Sequence, residues 1–589
     1  MGFSILMLSL IFLHFLSSSE ASPSDHSYNV GDEVPLFVNK VGPLNNPSET
    51  YQYYEMPFCL PDQVLPKKES LGEVLNGDRL TNSLYELKFK LGKTDAVLCQ
   101  KKFNRNDIAK FRGAIENDYY FQMYYDDLPL WGFIGKVEDN NWALDGRGPT
   151  HFLFKHIQFN VLHSSNQIIE IHAFSDPNNA VDITDDVDLD ITFTYSVFWN
   201  GTSTPFRNRM NRYSRASLLP VHQKIHWFSF LNSVVIIVLL IGLLAFPFTR
   251  NLRNDLRSSR HPGEDEEEDK EVGWKYIHND VFRCPPGMPL FCALLGTGTQ
   301  LLTMVLVLFA LAFIGILYPQ NRGSLSTSVV IVYILTSGVA GYTSASFYSQ
   351  FAETGWERSV LLAGMVFLGP FFFVFFILNL VAAYFGITAA LPFRNIFVVV
   401  LVHVLVGIPF LALGGMRGYN FRSEFQESRA TRKYSREIPS STWYRTTPGQ
   451  MFIGGLLPFG AVVLELNQLY ASIWGYKIFT LPGILFITFM ILILVTAILS
   501  ISLTYFQLIV EDPEWRWRSF LRGGAIAVFM FVYSFYFYSK SNMSGFMQTA
   551  FYFGYSACMC YAFFLILGTI SFYSSLIFVC RIYHAIKSE

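Results

Sequence analysis

From residue 226 onward the chain is a succession of apolar segments, each long enough to cross a membrane, and this limits the fold more than any other feature. The segments fall at 226–248, 292–318, 327–350, 359–385, 395–416, 450–472, 482–510, 520–539 and 551–580. A helix rises about 1.5 Å per residue, so roughly 20 apolar residues cross a hydrocarbon layer about 30 Å thick. Inside that layer no water can pair with backbone N–H and C=O groups, and a helix satisfies them within one segment. The pattern predicts a membrane all-α bundle of about nine transmembrane helices over 226–580. Only 15% of residues are charged, against about a quarter in soluble domains. The net charge of −2 and the lack of a basic, aromatic-laced stripe exclude nucleic acid as a partner.

The region before the bundle has a different character. Residues 1–21 read as a signal peptide, with an apolar run from Ile5 to Leu16 and small residues leading to cleavage after Ala21. From 22 to 225 the chain is polar, with runs in which every second residue is apolar. Tyr85–Leu91 and Ile191–Val197 are the clearest, and Phe152–Val161 and Ile168–Ala173 the weaker ones. Period-2 alternation puts one strand face on a core and the other in solvent. Several such strands predict an all-β, sandwich-like, antiparallel domain. Its only cysteines are Cys59 and Cys99, which either form a disulfide or remain thiols; spacing alone does not decide.

Charge sets the expected orientation. Arg250, Arg253, Arg257 and Arg260 follow the first span, Arg417 to Arg445 supply a second basic group after the fifth, and Arg516 and Arg518 follow the seventh. The intervening loops hold little beyond Arg322, Arg394, Lys477 and Lys540. The positive-inside bias puts the first set in the cytosol, the 22–225 domain in the lumen and the tail 581–589 in the cytosol. Two N-glycosylation sequons, at Asn200 and Asn542, then face the lumen.

Motifs for common membrane chemistries are missing. No aspartate lies inside an expected span, so a paired-acid protease has nothing to work with, and there is no His-Glu-x-x-His, Gly-x-Ser-x-Gly or phosphate-loop pattern. No cofactor is expected. Glu465, with Asn467 and Gln468 close by, forms a polar spot in an apolar helix. Such a group binds a cation, carries a proton, meets a client helix or simply fixes packing. His403 reads as a packed polar residue, and the acidic run Glu264–Asp269 as a solvated segment.

Short motifs in a fixed order over nearly the whole chain resemble the transmembrane 9 superfamily, the nonaspanins or endomembrane proteins. They include Tyr28–Asp32, Val38–Pro43, Tyr53–Glu55, Pro57–Cys59, Gly273-Trp274-Lys275, Asp280–Arg283 and Gly296-Thr297-Gly298-Thr299-Gln300. Further on come Gly341-Tyr342, Gly355-Trp356, Gly414-Gly415, Trp443-Tyr444, Phe459–Glu465 and Glu511-Asp512. Pro513 departs from the family pattern, which usually continues with Tyr and a Trp-rich run. The resemblance implies a Golgi and endosomal protein that sorts or escorts other membrane proteins and performs no enzymatic reaction. It also implies that Lys587 and Glu589 form a Lys-x-Glu signal bound by COPI coatomer, and that Phe578, Val579 and Tyr583 act in export. Implied partners are thus coatomer, client membrane proteins and the bilayer. Two other readings stand beside it: a transporter or channel built around Glu465, and an adhesion or surface receptor.

Overall fold

The computed structural model describes residues 26–587 apart from 47, 139–148, 186, 210–234, 236–237, 240, 243–244, 247, 255–273, 275–276, 318–321, 422–442, 475–481 and 542. The cleavage position Ala21, most of segment 226–248, the acidic run, Asn542 and Glu589 therefore lie outside the described residues.

The N-terminal domain is built from twelve described strands. The first sheet centres on β1 (Glu33–Pro43), which pairs with β2 (Tyr51–Gln52), β3 (Thr81–Lys88) and β5 (Tyr119–Tyr125), with β6 (Leu128–Phe133) beyond β5. A second sheet runs β10 (Gln167–Ser175), β9 (His156–Ser164), β12 (Leu189–Gly201), β4 (Lys93–Phe103); a third joins β11 (Ala180–Asp182), β8 (Thr150–Phe154) and β7 (Gly135–Glu138). Val34, Leu36 and Val38 alternate inward along β1 and meet Phe89, Phe103, Phe121, Phe159 and Ile191 in one core. Two expectations need correcting. The β9–β12 pairing is parallel, because a connection of some 25 residues gives room for the crossover that a parallel pair requires. The domain is also not purely β. It includes α1 (Leu71–Leu75) and α2 (Arg105–Glu116), the latter burying Ile108, Phe111, Ala114 and Ile115 along one face.

The C-terminal region is helical: α3 (His278–Val281), α4 (Met288–Ile314), α5 (Ser324–Tyr348), α6 (Trp356–Val366), α7 (Leu368–Tyr384), α8 (Phe393–Val402), a π-turn (His403–Gly407), α9 (Ile408–Asn420), α10 (Thr447–Trp474), α11 (Pro482–Ile509), α12 (Trp515–Gly524), α13 (Ile526–Lys540) and α14 (Phe546–Lys587). Among the described residues, seven helical stretches are long and apolar enough to cross a membrane: α4, α5, α6–α7, α8–α9, α11, α12–α13 and α14. Of the two other expected segments, 450–472 forms α10, apolar over Thr447–Val463, and 226–248 lies mostly outside the described residues.

Helix α4 is the hub, and its Gly-Thr-Gly-Thr-Gln run shows why these residue types occur there. Successive side chains on a helix point about 100° apart, so each residue meets a different neighbour. Gly296 lets the Ala340 carbonyl and Ser344 of α5 come close, while Gly298 does the same for Leu565 and Thr569 of α14. The Thr297 hydroxyl lies 2.9 Å from the Ala363 carbonyl of α6, and Gln300 Nε2 donates to the Tyr333 carbonyl of α5 (3.0 Å). Without a hydrophobic drive between helices in lipid, such close backbone approach and interhelical hydrogen bonds hold a bundle together.

The β-rich domain rests on three interhelical loops. Before α5, Arg322 pairs with Glu73 of α1 at 2.5 Å and lies over the Tyr124 ring, and Ser326 donates to Asn76 Oδ1. Between α7 and α8, the Thr388 amide donates to the Thr50 carbonyl (2.8 Å) and the Ala390 carbonyl accepts from Arg79 (2.7 Å). At the start of α14, Gln548 accepts from the Ser48 amide (3.0 Å). Glu69 lies beside this seam and accepts from the Leu80 amide at 2.6 Å; burial pushes its carboxyl up to about 7.

Candidate functional site

Among the described residues the bundle is not closed all round. Helix α7 packs on α6 and α14, whereas α9 packs on α5 and α6, so the consecutive spans α7 and α8–α9 share no packed interface. Helix α8 has no buried residue at all. The flanks of the resulting opening are heavily apolar: Phe373 is 66% exposed, Phe393 73% and Phe397 65%. A face of this kind, unpartnered among the described residues, has lipid or another membrane helix as its neighbour.

The back of the opening is formed at the π-turn. Pro409 has no N–H to return to the carbonyl four residues earlier, so the regular ladder cannot run through this point. The helix widens instead, and the Ile408 amide donates to the His403 carbonyl five residues back. The Gly407 carbonyl, at the end of this turn, accepts from the Ser337 hydroxyl of α5 at 2.9 Å. The His403 ring folds over Gly407, where an added Cβ would come within 2.7 Å of Nδ1. It stacks near Tyr333, with centroids 6.2 Å apart and planes at 29°. Tyr333 in turn meets Phe367, which stacks on Phe371 of α7. Thus α5, α7 and the π-turn share one aromatic cluster behind the opening.

The polar residues singled out in sequence lie elsewhere. Glu465 and Asn467 are half-buried on α10, a helix that packs on α11, α12 and α13; the Gln468 side chain is outside the described residues. Two cavities, of about 320 Å³ and 10 Å³, lie in the β-rich domain, lined by residues such as Trp131, Phe154 and Phe174 in one and Tyr53, Phe58 and Leu98 in the other. Cys59 and Cys99 are joined as a disulfide with Cα atoms 6.1 Å apart. Asn200 is exposed near the end of β12. Lys587 is the last residue of α14, its side chain outside the described residues.

Phe578, Val579 and Tyr583 are packing residues in this conformation. Val579 and Tyr583 are buried, and Phe578 meets Phe248 and Tyr505 edge-on. The Tyr583 hydroxyl donates to the Trp274 carbonyl at 2.6 Å, and its ring packs on Trp274 and Phe282. Reading these side chains as a signal requires the end of α14 to leave the bundle.

Sequence reasoning missed a buried polar cluster between α11, α12 and α14. Arg522 donates to Thr504 (2.9 Å) and to the Arg518 carbonyl (3.1 Å), and Thr504 and Ser500 both bond Ser575 (2.9 and 2.7 Å). Ser571 bonds Ser500 and the Ser519 carbonyl, each at 2.6 Å. Two pairs at i, i+4, Ser500/Thr504 and Ser571/Ser575, were the available signal, since that spacing puts both hydroxyls on one helix face. Among the described residues, no group of three His, Cys, Asp or Glu is placed to hold a metal.

The family model for endomembrane protein 70 matches residues 50–546. Transmembrane 9 superfamily member 5 of Arabidopsis thaliana is 56% identical over 569 residues, covering 96% of each chain. Member 4 of the same plant is 51% identical, covering 99% of this chain and 98% of its own. Member 1 of Mus musculus is 40% identical over 95% of this chain and 94% of its own. No solved structure matches the chain.

Proposed function

The chain belongs to the endomembrane protein 70, or transmembrane 9, family, and on that premise we propose that it is a Golgi and endosomal escort for other membrane proteins, acting without enzymatic chemistry. The lateral opening between α7 and α8–α9 carries this reading. A client helix already in the bilayer reaches such a face by lateral diffusion, without unfolding or leaving lipid. A solute carrier instead needs a route to a polar site near the midplane, and Glu465 belongs to the α10 packing group, away from the opening.

In this reading the chain has nine spans, a lumenal β-rich domain and a cytosolic tail. Two features support that topology. The β-rich domain sits on the loops near 322–327, 387–390 and 545–548, which alternate along the chain with the arginine-bearing ones. The domain also carries a disulfide, suited to an oxidising compartment. The tail residues Lys587 and Glu589 are the proposed coatomer contact, by charge complementarity.

The test compares a lumenally tagged chain with Lys587→Ser and Glu589→Ser variants. Coatomer pull-down and Golgi residence should fall together, and membrane proteins that depend on the chain should move with it. Unchanged residence would remove the tail contact, and clients indifferent to removal of the chain would remove the escort role.

A further inference from the structure

The opening contains a polar spot that the fold leaves unused. The Tyr333 hydroxyl and the His403 imidazole have no hydrogen-bond partner among the described residues, although their rings stack on one another. Both residues are half-buried and lie close to the middle of their spans, Ser324–Tyr348 and Phe393–Asn420. Polar groups facing hydrocarbon at that depth are costly unless something bonds them. An acyl chain cannot. Nor does the described part of the first apolar segment fill the space, because Phe248 packs against Tyr505 and Phe578 instead.

We propose that the opening between α7 and α8–α9 receives one transmembrane helix of a client, and that Tyr333 and His403 recognise a carboxamide side chain near the middle of that helix. The inference rests on the escort reading. The match is chemical: a phenol O–H donates and a neutral imidazole offers one donor and one acceptor, while Asn or Gln presents a carbonyl acceptor and an NH₂ donor on one planar group. The aromatic and aliphatic flanks supply helix-length contact without regard to sequence, so the amide sets register along the client. Gly407 is a positioning residue here, because its missing side chain is what lets the imidazole lie against the turn.

The experiment uses the full chain in cell membranes with benzoylphenylalanine at position 371. Reporters are single Leu-rich spans carrying Asn at the centre, Asn two turns from the centre, or no Asn. The central-Asn reporter is expected to crosslink about three- to tenfold more than the other two, the worth of one interhelical hydrogen bond. Tyr333→Phe, nearly isosteric, should cut that preference, and Tyr333→Phe with His403→Leu should abolish it while the chain keeps its Golgi location. Equal crosslinking of all reporters, or a preference that survives the double variant, overturns the inference. So does a photoactivatable lipid that captures position 371 while no reporter does. If reporter location depends on the chain but crosslinking ignores Asn, this inference falls and the escort reading stands. If reporter location is indifferent to the chain, both fall.

Discussion

Gly298→Ala tests whether α4 holds the bundle together through backbone contact. The new Cβ would overlap the Thr569 hydroxyl and the Leu565 carbonyl oxygen, and would sit 2.9 Å from Thr569 Cβ. Carbon atoms rest at about 3.5–4.0 Å, so α4 and α14 would have to part by roughly 0.6–1 Å. The hydroxyl could rotate away, but the Leu565 carbonyl is fixed in a continuous helix. Separation would also loosen the contact between Phe291 and Phe572, whose ring centroids are 5.1 Å apart. Overpacking of this kind costs about 1–3 kcal/mol, and the backbone clash places Gly298→Ala in the upper half of that range. Gly460→Ala is the control, since a Cβ there meets nothing within 4 Å and gains about 0.5–1 kcal/mol of helix preference over Gly. The assay is thermal unfolding of the full chain in detergent, followed by tryptophan fluorescence. Gly298→Ala should melt several degrees lower and Gly460→Ala at or above the parent temperature. Equal melting of the two would refute close α4–α14 approach as a source of stability.

Three further outcomes are expected. Arg322→Ala removes the partner of Glu73, in a pair whose side chains are each only 11% exposed, and the cation over Tyr124; it should weaken the seam by about 2 kcal/mol or more. Faster hydrogen exchange across 71–76 and 322–327 would register this, and unchanged exchange would count against the seam. Glu69 has a folded-state pKa of about 7, above its ordinary value of 4.5. The folded state therefore holds a proton that the unfolded chain releases, and this contribution to stability is complete below 4.5 and lost as pH rises through about 7. Between about pH 5 and pH 8 the parent should lose melting temperature relative to Glu69→Gln, and parallel curves would contradict the assignment. Cys99→Ser opens a bridge spanning 40 residues, worth about 4 kcal/mol in the chain-entropy model. It should lower the melting temperature under non-reducing conditions and remove the sensitivity to reductant.

Features set by local physics are legible along the chain. Apolar runs mark helices because a helix satisfies its own backbone, and each expected span from 292 to 580 falls on a helical stretch of α4–α14, seven of which among the described residues are long and apolar enough to cross a membrane. Alternation marks β10 and β12 for the same reason, since a strand's two faces are written in consecutive residues; the run Tyr85–Leu91 overshoots the end of β3 at Lys88, and Phe152–Val161 falls across two strands, β8 and β9. Features that depend on distant residues meeting emerge only on folding. The alternating runs say nothing about partners, so the parallel β9–β12 pair could not be read. His403 reads as an ordinary packed residue, and its place beside Tyr333 arises where the helix widens before Pro409 and Ser337 ties the turn to α5 through the Gly407 carbonyl. The resemblance implies an export role for Phe578, Val579 and Tyr583, but nothing local in the sequence shows that Trp274, more than 300 residues earlier, covers the last of them. Hydropathy measures how apolar a segment is, and says nothing about whether protein or lipid will cover it; the opening between α7 and α8–α9 exists only once the other helices have chosen their neighbours.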